Sequence, residues 1–188
     1  GIPTNIREFL DREGAEYQML HHHRTSTLGE AAEACNMPLN KLVRAVILVD
    51  GQGLLMAVLP ADHVLDFSAL FELLHRNLEL VPGNQLATIF DECEPRSYPP
   101  LAPLYNLDVI VDSSLDDLDT ITFEPGSHTT LLQVDASQYR KLLGKALSGR
   151  FSRPANTLRS SDNYQQEDLY EVVDQFTPAR PKYNAEEF

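Results

Sequence analysis

Three polar residues within or beside apolar runs could carry chemistry. Arg44 interrupts the run KLVRAVILV at 41–49, Asp112 ends the run DVIVD, and His128 lies in the segment TFEPGSHTTLL at 122–132. A guanidinium is permanently charged and has several donors, so Arg44 could hold an anionic oxygen or a phosphate. Asp112 could orient Arg44 or an amino group. His128 could donate a hydrogen bond from its ring.

Each of these interpretations has a structural alternative that the sequence leaves open. Asp112 could simply begin an Asp-Ser-Ser turn after a strand, and His128 could be a turn histidine between two strands. The run His21 to His23 suggests a metal site, but adjacent strand residues point to opposite faces and no Cys or Asp cluster is nearby. We therefore expect no native metal. The motifs GxGxxG, GxxxxGK[ST], HExxH and GxSxG are absent, and no cofactor is expected.

The elements that position these residues follow from the spacing of apolar residues and from capping signals. Helices are predicted at 4–13, from Thr27 to before Pro38, from Asp66 onward, at 85–90 and at about 137–147. Strands are predicted at 15–20, 42–49, 54–59, 108–111, 120–123 and 130–134. The proline-rich segment at 92–103 cannot be a helix interior or a central strand, so it must form a loop.

Length and composition predict one main domain. The chain has 188 residues, of which 43% are hydrophobic, enough for one sizeable core and few for two. We expect this domain to span 1–149. Beyond it the apolar pattern fades, so 150–188 is interpreted as a linker or tail that could lead into another domain.

Charge and hydropathy narrow the choice of partners and compartment. A net charge of −13 argues against a DNA-binding or nonspecific nucleic-acid-binding protein, so any RNA contact must be local. No stretch approaches the ~20 apolar residues of a membrane helix, and no signal peptide is visible. The two cysteines, Cys35 and Cys93, have no CxxC spacing and are expected to be reduced. We expect a soluble, cytoplasmic protein without membrane contact, of undetermined oligomeric state.

Four segments in this order resemble the YbaK and prolyl-tRNA editing family, whose members remove wrongly attached amino acids from tRNA. They are the runs at 41–49, 91–101, 108–115 and 122–132, and the resemblance covers roughly 21–143. It implies a mixed α/β fold with a central, mostly antiparallel sheet or partial barrel surrounded by helices. Some members of the family are fused to HDOD-type signalling domains, a further point of resemblance.

The resemblance also implies a site. Arg44 falls where the family has a lysine, and Arg96 falls on the first glycine of the family's loop. The implied catalytic residues are Arg44, Asp112 and His128, and the implied substrate-binding residues are Arg96, Ser97, Tyr98, Pro99, Pro100, Gly126 and Ser127. Ala45 and Val46 replace the family's threonine and leucine, and Ala102 replaces a later glycine. His128 would shape the amino-acid pocket or act near the ester.

The implied activity is aminoacyl-tRNA deacylation in trans, with the acceptor end of the tRNA as partner. Hydrolysis of the ester develops negative charge on the carbonyl oxygen, which needs fixed donors and a positioned water. A loop glycine lets backbone N–H groups approach the substrate, so the side chain of Arg96 is expected to hinder that approach. Arg44 cannot readily shuttle a proton as a lysine can. The alternative is a noncatalytic aminoacyl-tRNA-binding or regulatory module within a longer signalling protein.

Overall fold

A computed structural model describes residues 1–176 of the chain. Its strands are β1 (Gln18–His21), β2 (Val43–Asp50), β3 (Gly53–Pro60), β4 (His63–Leu65), β5 (Glu79–Leu80), β6 (Asp108–Asp112), β7 (Thr120–Phe123), β8 (Thr130–Asp135), β9 (Leu147–Gly149) and β10 (Ser152–Pro154). Its helices are α1 (Thr4–Arg12), α2 (Leu28–Ala34), α3 (Phe67–Leu74), α4 (Gly83–Ile89), α5 (Ala136–Leu143) and α6 (Gln166–Phe176). No helix within this range has both the length and the apolar content to cross a membrane.

The strands form three small sheets. The largest has the order β5-β2-β3-β6-β9, and the others have the orders β1-β8-β7 and β10-β4. Only the pairs β3–β6 and β6–β9 are parallel, and the other strand pairs are antiparallel. A parallel bridge between Leu42 and Thr122 joins the five-stranded sheet to the three-stranded one. This mixed, mostly antiparallel arrangement with helices around it confirms the predicted fold class.

Local sequence signals account for the hairpin and the helix starts. Strands β2 and β3 pair over their full length, as their Val, Ile and Leu content predicts. Thr27 caps α2 by accepting a hydrogen bond from the backbone N–H of Glu30 at 3.1 Å. The carboxylate of Glu30 accepts from the backbone N–H of Ser26 at 2.9 Å. Asp66 caps α3 by accepting from Ala69 at 3.0 Å.

The predicted helix at 137–147 is too long at its C-terminal end. Helix α5 ends at Leu143, because the next residue, Gly144, adopts a left-handed φ of 64°. The chain then reverses direction and residues 147–149 pair with β6 as the edge strand β9. The apolar residues that extended the helical pattern thus belong to a strand.

The five-stranded sheet has a core on each face. On one face, Val43, Ile47 and Met56 pack with residues of α1, β7 and β8. On the other face, Leu48 and Leu55 pack with residues of α3, together with Phe151 from beyond β9. Alternation along β2 and β3 therefore fills both cores.

The segment predicted to be a linker or tail packs against the domain between residues 151 and 172. Strand β10 pairs antiparallel with β4, and the side chain of Phe151 is fully buried. Helix α6 buries Leu169 and Val172 against Val64 of β4. Residues beyond 149 therefore pack against the predicted domain through a few buried apolar side chains, those of Phe151, Leu169 and Val172. The part of the predicted tail beyond residue 176 lies outside the described residues.

The proline-rich loop at 91–101 is tied to the turn after β7 by two backbone hydrogen bonds. The N–H of Gly126 donates to the carbonyl of Ser97 at 2.8 Å, and the N–H of Glu94 donates to the carbonyl of Gly126 at 3.1 Å. Gly126 has a left-handed φ of 80°. A Cβ at this position would lie 2.9 Å from Pro3 Cγ and 3.0 Å from Cys93 Sγ. Only glycine fits this contact without strain.

We therefore expect Gly126→Ala to lower the free energy of unfolding by roughly 2 kcal/mol, because alanine meets both the strained φ and the crowded neighbours. Chemical denaturation measures the change. Gly51→Ala is the matched control, since Gly51 has no positive φ and no atom within 4 Å of its would-be Cβ. Equal stability of the two variants would contradict the role of Gly126.

Candidate functional site

A cavity of about 680 Å³ opens beside β2 and is closed on one side by α6. This volume is within the ~300–1,000 Å³ range of small-molecule sites. Its walls come from residues 26–28, from residues 43–47 of β2, from residues 79–83 with Leu86, from Arg96, Tyr98 and Glu124, and from Gln165, Glu167, Asp168 and Glu171. Residues far apart in the sequence therefore share one wall.

Arg44 lies in this wall as half of a buried ion pair. Its side chain is 8% exposed, and Nη2 lies 2.7 Å from Oδ1 of Asp168, whose side chain is 1% exposed. The same nitrogen donates to the carbonyl of His63 at 2.7 Å. The other carboxylate oxygen of Asp168 accepts from the backbone N–H of Leu65 at 2.7 Å. These bonds compensate the desolvation of both charges and connect β2, β4 and α6.

The ion pair changes the predicted role of Arg44. The sequence suggests an arginine free to hold an anionic oxygen, whereas Asp168 already balances its charge inside the protein. Its Nε atom is buried and has no partner among the described residues. Arg44 therefore reaches the cavity as one member of a neutral pair.

Arg96 adopts a left-handed backbone conformation, with φ of 68°. Glycine adopts this conformation at least cost, and the sequence resemblance places a glycine at this position. The loop thus keeps a glycine-like backbone despite the arginine. The Arg96 side chain reaches towards α6, where Nη2 lies 3.5 Å from Oε2 of Glu171, and both side chains are about half exposed.

Other predicted loop residues face the protein interior. Ser97 is buried and its hydroxyl donates to the carbonyl of Glu94 at 2.6 Å. Pro99 and Pro100 are buried, and the carbonyl of Pro100 accepts from the hydroxyl of Tyr139 at 2.6 Å. None of these three predicted substrate-binding residues lines the cavity.

Tyr98 is the predicted loop residue that lines the cavity and also packs in the core. Its ring stacks on Phe90 with centroids 4.5 Å apart. Tyr105 contacts the same phenylalanine from another side at 4.4 Å, and burial raises the pKa of its hydroxyl. The aromatic cluster of Phe90, Tyr98 and Tyr105 therefore anchors the loop to the core.

Asp112 is fully buried and holds two turns together. Its carboxylate accepts from the backbone N–H and the hydroxyl of Ser114, and from the backbone N–H of Phe151 at 2.8 Å. It does not line the cavity. The structure thus places Asp112 in the turn that the alternative interpretation describes. Asp112 is not part of the ion pair of Arg44.

His128 lies behind the cavity wall and contacts Glu124, which forms part of that wall. Nδ1 of His128 lies 3.0 Å from Oε2 of Glu124, and its Nε2 lies 2.7 Å from the carbonyl of Pro95. Glu124 is 4% exposed. Burial raises the pKa of Glu124, while its bond to His128 opposes that rise. The same bond raises the pKa of His128.

A second layer of charged groups fixes the turn that carries His128. Its backbone N–H donates to the carboxylate of Glu94. Glu94 also pairs with Arg24 at 2.8 Å, and this hydrogen bond lowers the pKa of Glu94. The adjacent Ser127 bonds to Thr129 through its hydroxyl at 3.0 Å. Gly126 and Ser127, both predicted to bind substrate, thus shape the turn and do not line the cavity.

Sequence reasoning missed Glu124 and Asp168. Glu124 had a usable signal, because it is a lone carboxylate directly after the apolar strand β7 and four residues before His128. Asp168 had none, since its partner Arg44 is 124 residues away. The histidine run at 21–23 is not part of any group of three or more potential metal ligands within the described residues.

Sequence comparison with protein families gives one match. Residues 22–142 match the model of the aminoacyl-tRNA editing domain. This range includes β2, the proline-rich loop and the turn of His128, and it ends before α6. No curated protein matches the sequence.

Several solved structures share the fold. A candidate signal transduction protein from Marinobacter aquaeolei VT8 is 22% identical with a TM-score of 0.69, covering 86% of this chain and 33% of that one. The hypothetical protein APE2540 is 22% identical with a TM-score of 0.70, covering 79% and 99%. A candidate trans-editing enzyme for prolyl-tRNA synthetase is 17% identical with a TM-score of 0.70, covering 81% and 99%. The chain thus spans about one third of the length of the first protein.

Asp168→Asn tests the buried ion pair. We expect it to lower the free energy of unfolding by about 3 kcal/mol, because Arg44 is left with an unbalanced buried charge. Chemical denaturation measures the loss. Glu171→Gln is the matched control on the same helix, and its half-exposed pair with Arg96 should contribute less than about 1 kcal/mol. Similar losses in the two variants would contradict the central role of Asp168.

Proposed function

Since this chain belongs to the aminoacyl-tRNA editing domain family, we propose that it is a deacylase that hydrolyses the ester of a mischarged tRNA in trans. The observation that carries the proposal is the composition of the cavity wall. Arg44, Arg96 with Tyr98, and Glu124 come from three of the four segments that resemble the family, and they meet around one cavity. A family-wide site would bring these segments together in this way.

The size and charge of the cavity favour a limited contact with the tRNA. A volume of about 680 Å³ is enough for an aminoacyl group with the terminal nucleoside. The net charge of −13 opposes a broad contact with the phosphate backbone. Binding therefore relies on the ester end of the substrate, which enters beside Tyr98.

Transition-state stabilisation relies on the loop more than on Arg44. The oxygen of the attacked carbonyl becomes negative and needs donors whose charge is available to it. Arg44 is balanced by Asp168, so its net contribution is small. The backbone N–H groups of Arg96 and Tyr98 have no acceptor among the residues whose contacts the structure describes, and both residues line the cavity. They are the candidate donors.

A second function is a noncatalytic aminoacyl-tRNA-binding or regulatory module. The ion pair of Arg44 with Asp168 favours it, because the residue at the family's lysine position serves the interior of this protein. The match to about one third of a longer candidate signal transduction protein fits a module within a longer chain. Under this function, the cavity binds an aminoacyl end and releases it unchanged.

A panel of aminoacyl-tRNAs separates the two functions. With alanyl-, cysteinyl- and seryl-tRNAs in the panel, we expect the purified chain to hydrolyse at least one of them well above the spontaneous rate. Release of the labelled amino acid measures turnover, and a nonhydrolysable aminoacyl-adenosine analogue measures binding. Binding of the analogue without any turnover would overturn the deacylase and support the module. If the chain shows no binding of the analogue and no turnover of any aminoacyl-tRNA, both functions are contradicted.

A further inference from the structure

The Glu124–His128 pair has a defined arrangement of protons. The carbonyl of Pro95 can only accept a hydrogen bond, so Nε2 of His128, 2.7 Å away, carries a hydrogen. In the neutral ring, Nδ1 is then an acceptor and the proton of the 3.0 Å contact comes from Glu124. In the charged ring, Nδ1 donates to a carboxylate. Either way, a single proton lies between the two side chains.

Only Glu124 of this pair reaches the cavity. The His128 side chain is 13% exposed and is absent from the cavity wall, whereas Glu124 lies in that wall. The other ionisable groups acting on Glu124 are His22 and Glu94, the latter already paired with Arg24. His128 is the hydrogen-bonded partner among them. A buried carboxylate facing a cavity, with its proton shared by a histidine behind it, is suited to accept and return a proton.

We propose that Glu124 is the catalytic base of the deacylation reaction and that His128 is the positioning residue that orients it and shares its proton. This role rests on the proposed function. Glu124 is not among the catalytic residues that the sequence implies, which are Arg44, Asp112 and His128.

The step balances without any further reactant. Ionised Glu124 takes a proton from water as the water oxygen forms a bond to the ester carbonyl carbon. The tetrahedral intermediate then collapses, and its bond to the ribose oxygen breaks. Glu124 returns the proton to that leaving oxygen. The products are the free amino acid and the tRNA with its hydroxyl restored.

The pH dependence follows from the two interactions of Glu124. The base works only when it is ionised, so kcat/KM rises with pH through its pKa. Burial raises this pKa above the usual range for glutamate, and the hydrogen bond from His128 lowers it in part. Removing His128 therefore moves the acid limb of the profile to higher pH. A residue that only supports the fold would leave that limb in place.

The test compares Glu124→Gln, Glu124→Asp, His128→Ala and the wild type in the intact chain. Each variant is assayed on the best substrate across pH, with its melting temperature measured in parallel. We expect Glu124→Gln to lower kcat by about 100-fold or more and to abolish the acid limb, because proton transfer contributes about 10²–10⁴-fold. Glu124→Asp should recover part of the loss. His128→Ala should shift the acid limb upwards, and Glu92→Gln, a change at an exposed glutamate, should match the wild type.

The outcomes separate this role from the proposed function. If the wild type turns over substrate and Glu124→Gln keeps kcat within tenfold of it, with an unchanged acid limb, the role of Glu124 is overturned and the deacylase function is not. An unshifted limb in folded His128→Ala would overturn the role of His128. Absence of turnover in the wild type would overturn the deacylase itself, and the catalytic role with it.

Discussion

The buried ion pair between Arg44 and Asp168 holds helix α6 in place. A guanidinium that is 8% exposed on β2 needs an internal carboxylate, because leaving it unpaired costs several kcal/mol. Asp168 satisfies this need from 124 residues away, and its second oxygen holds the backbone of β4. Helix α6 is therefore fixed against both β2 and β4. It completes the core around Val64 and closes one side of the cavity.

The cavity is lined by two kinds of charged group. On the α6 side, arginines and carboxylates balance each other, strongly for Arg44 and weakly for Arg96. Glu124, which also lines the cavity, has a histidine partner in place of a fixed positive charge. Arg96, whose φ is left-handed, lines the same cavity with Tyr98 from the proline-rich loop.

The sequence predicts the structural features that depend on neighbouring residues. It does not predict those that depend on partners far apart in the chain. The β2–β3 hairpin and the caps at Thr27 and Asp66 follow from local patterns, and the mostly antiparallel sheet follows from the family resemblance; the structure confirms them. The packing of residues 151–172 was not predicted, because their few buried apolar side chains find their neighbours only in the fold. The predicted site divides in the same way: Arg44, Arg96 and Tyr98 do reach the cavity. Asp112 instead holds a turn, and His128 contacts the cavity-lining Glu124, whose short-range signal was overlooked.

The position of α6 in the cavity wall makes ligand binding and helix docking linked equilibria. A ligand that contacts both α6 and β2 binds more tightly when the helix is docked. By reciprocity, the bound ligand stabilises the docked helix by the same free energy. A ligand that binds the charge of Arg44 must instead compete with Asp168. It binds only those molecules in which the helix is undocked, so its apparent affinity is lower the larger the docked fraction is. Asp168 thus reduces the net positive charge that Arg44 offers to a ligand in this cavity.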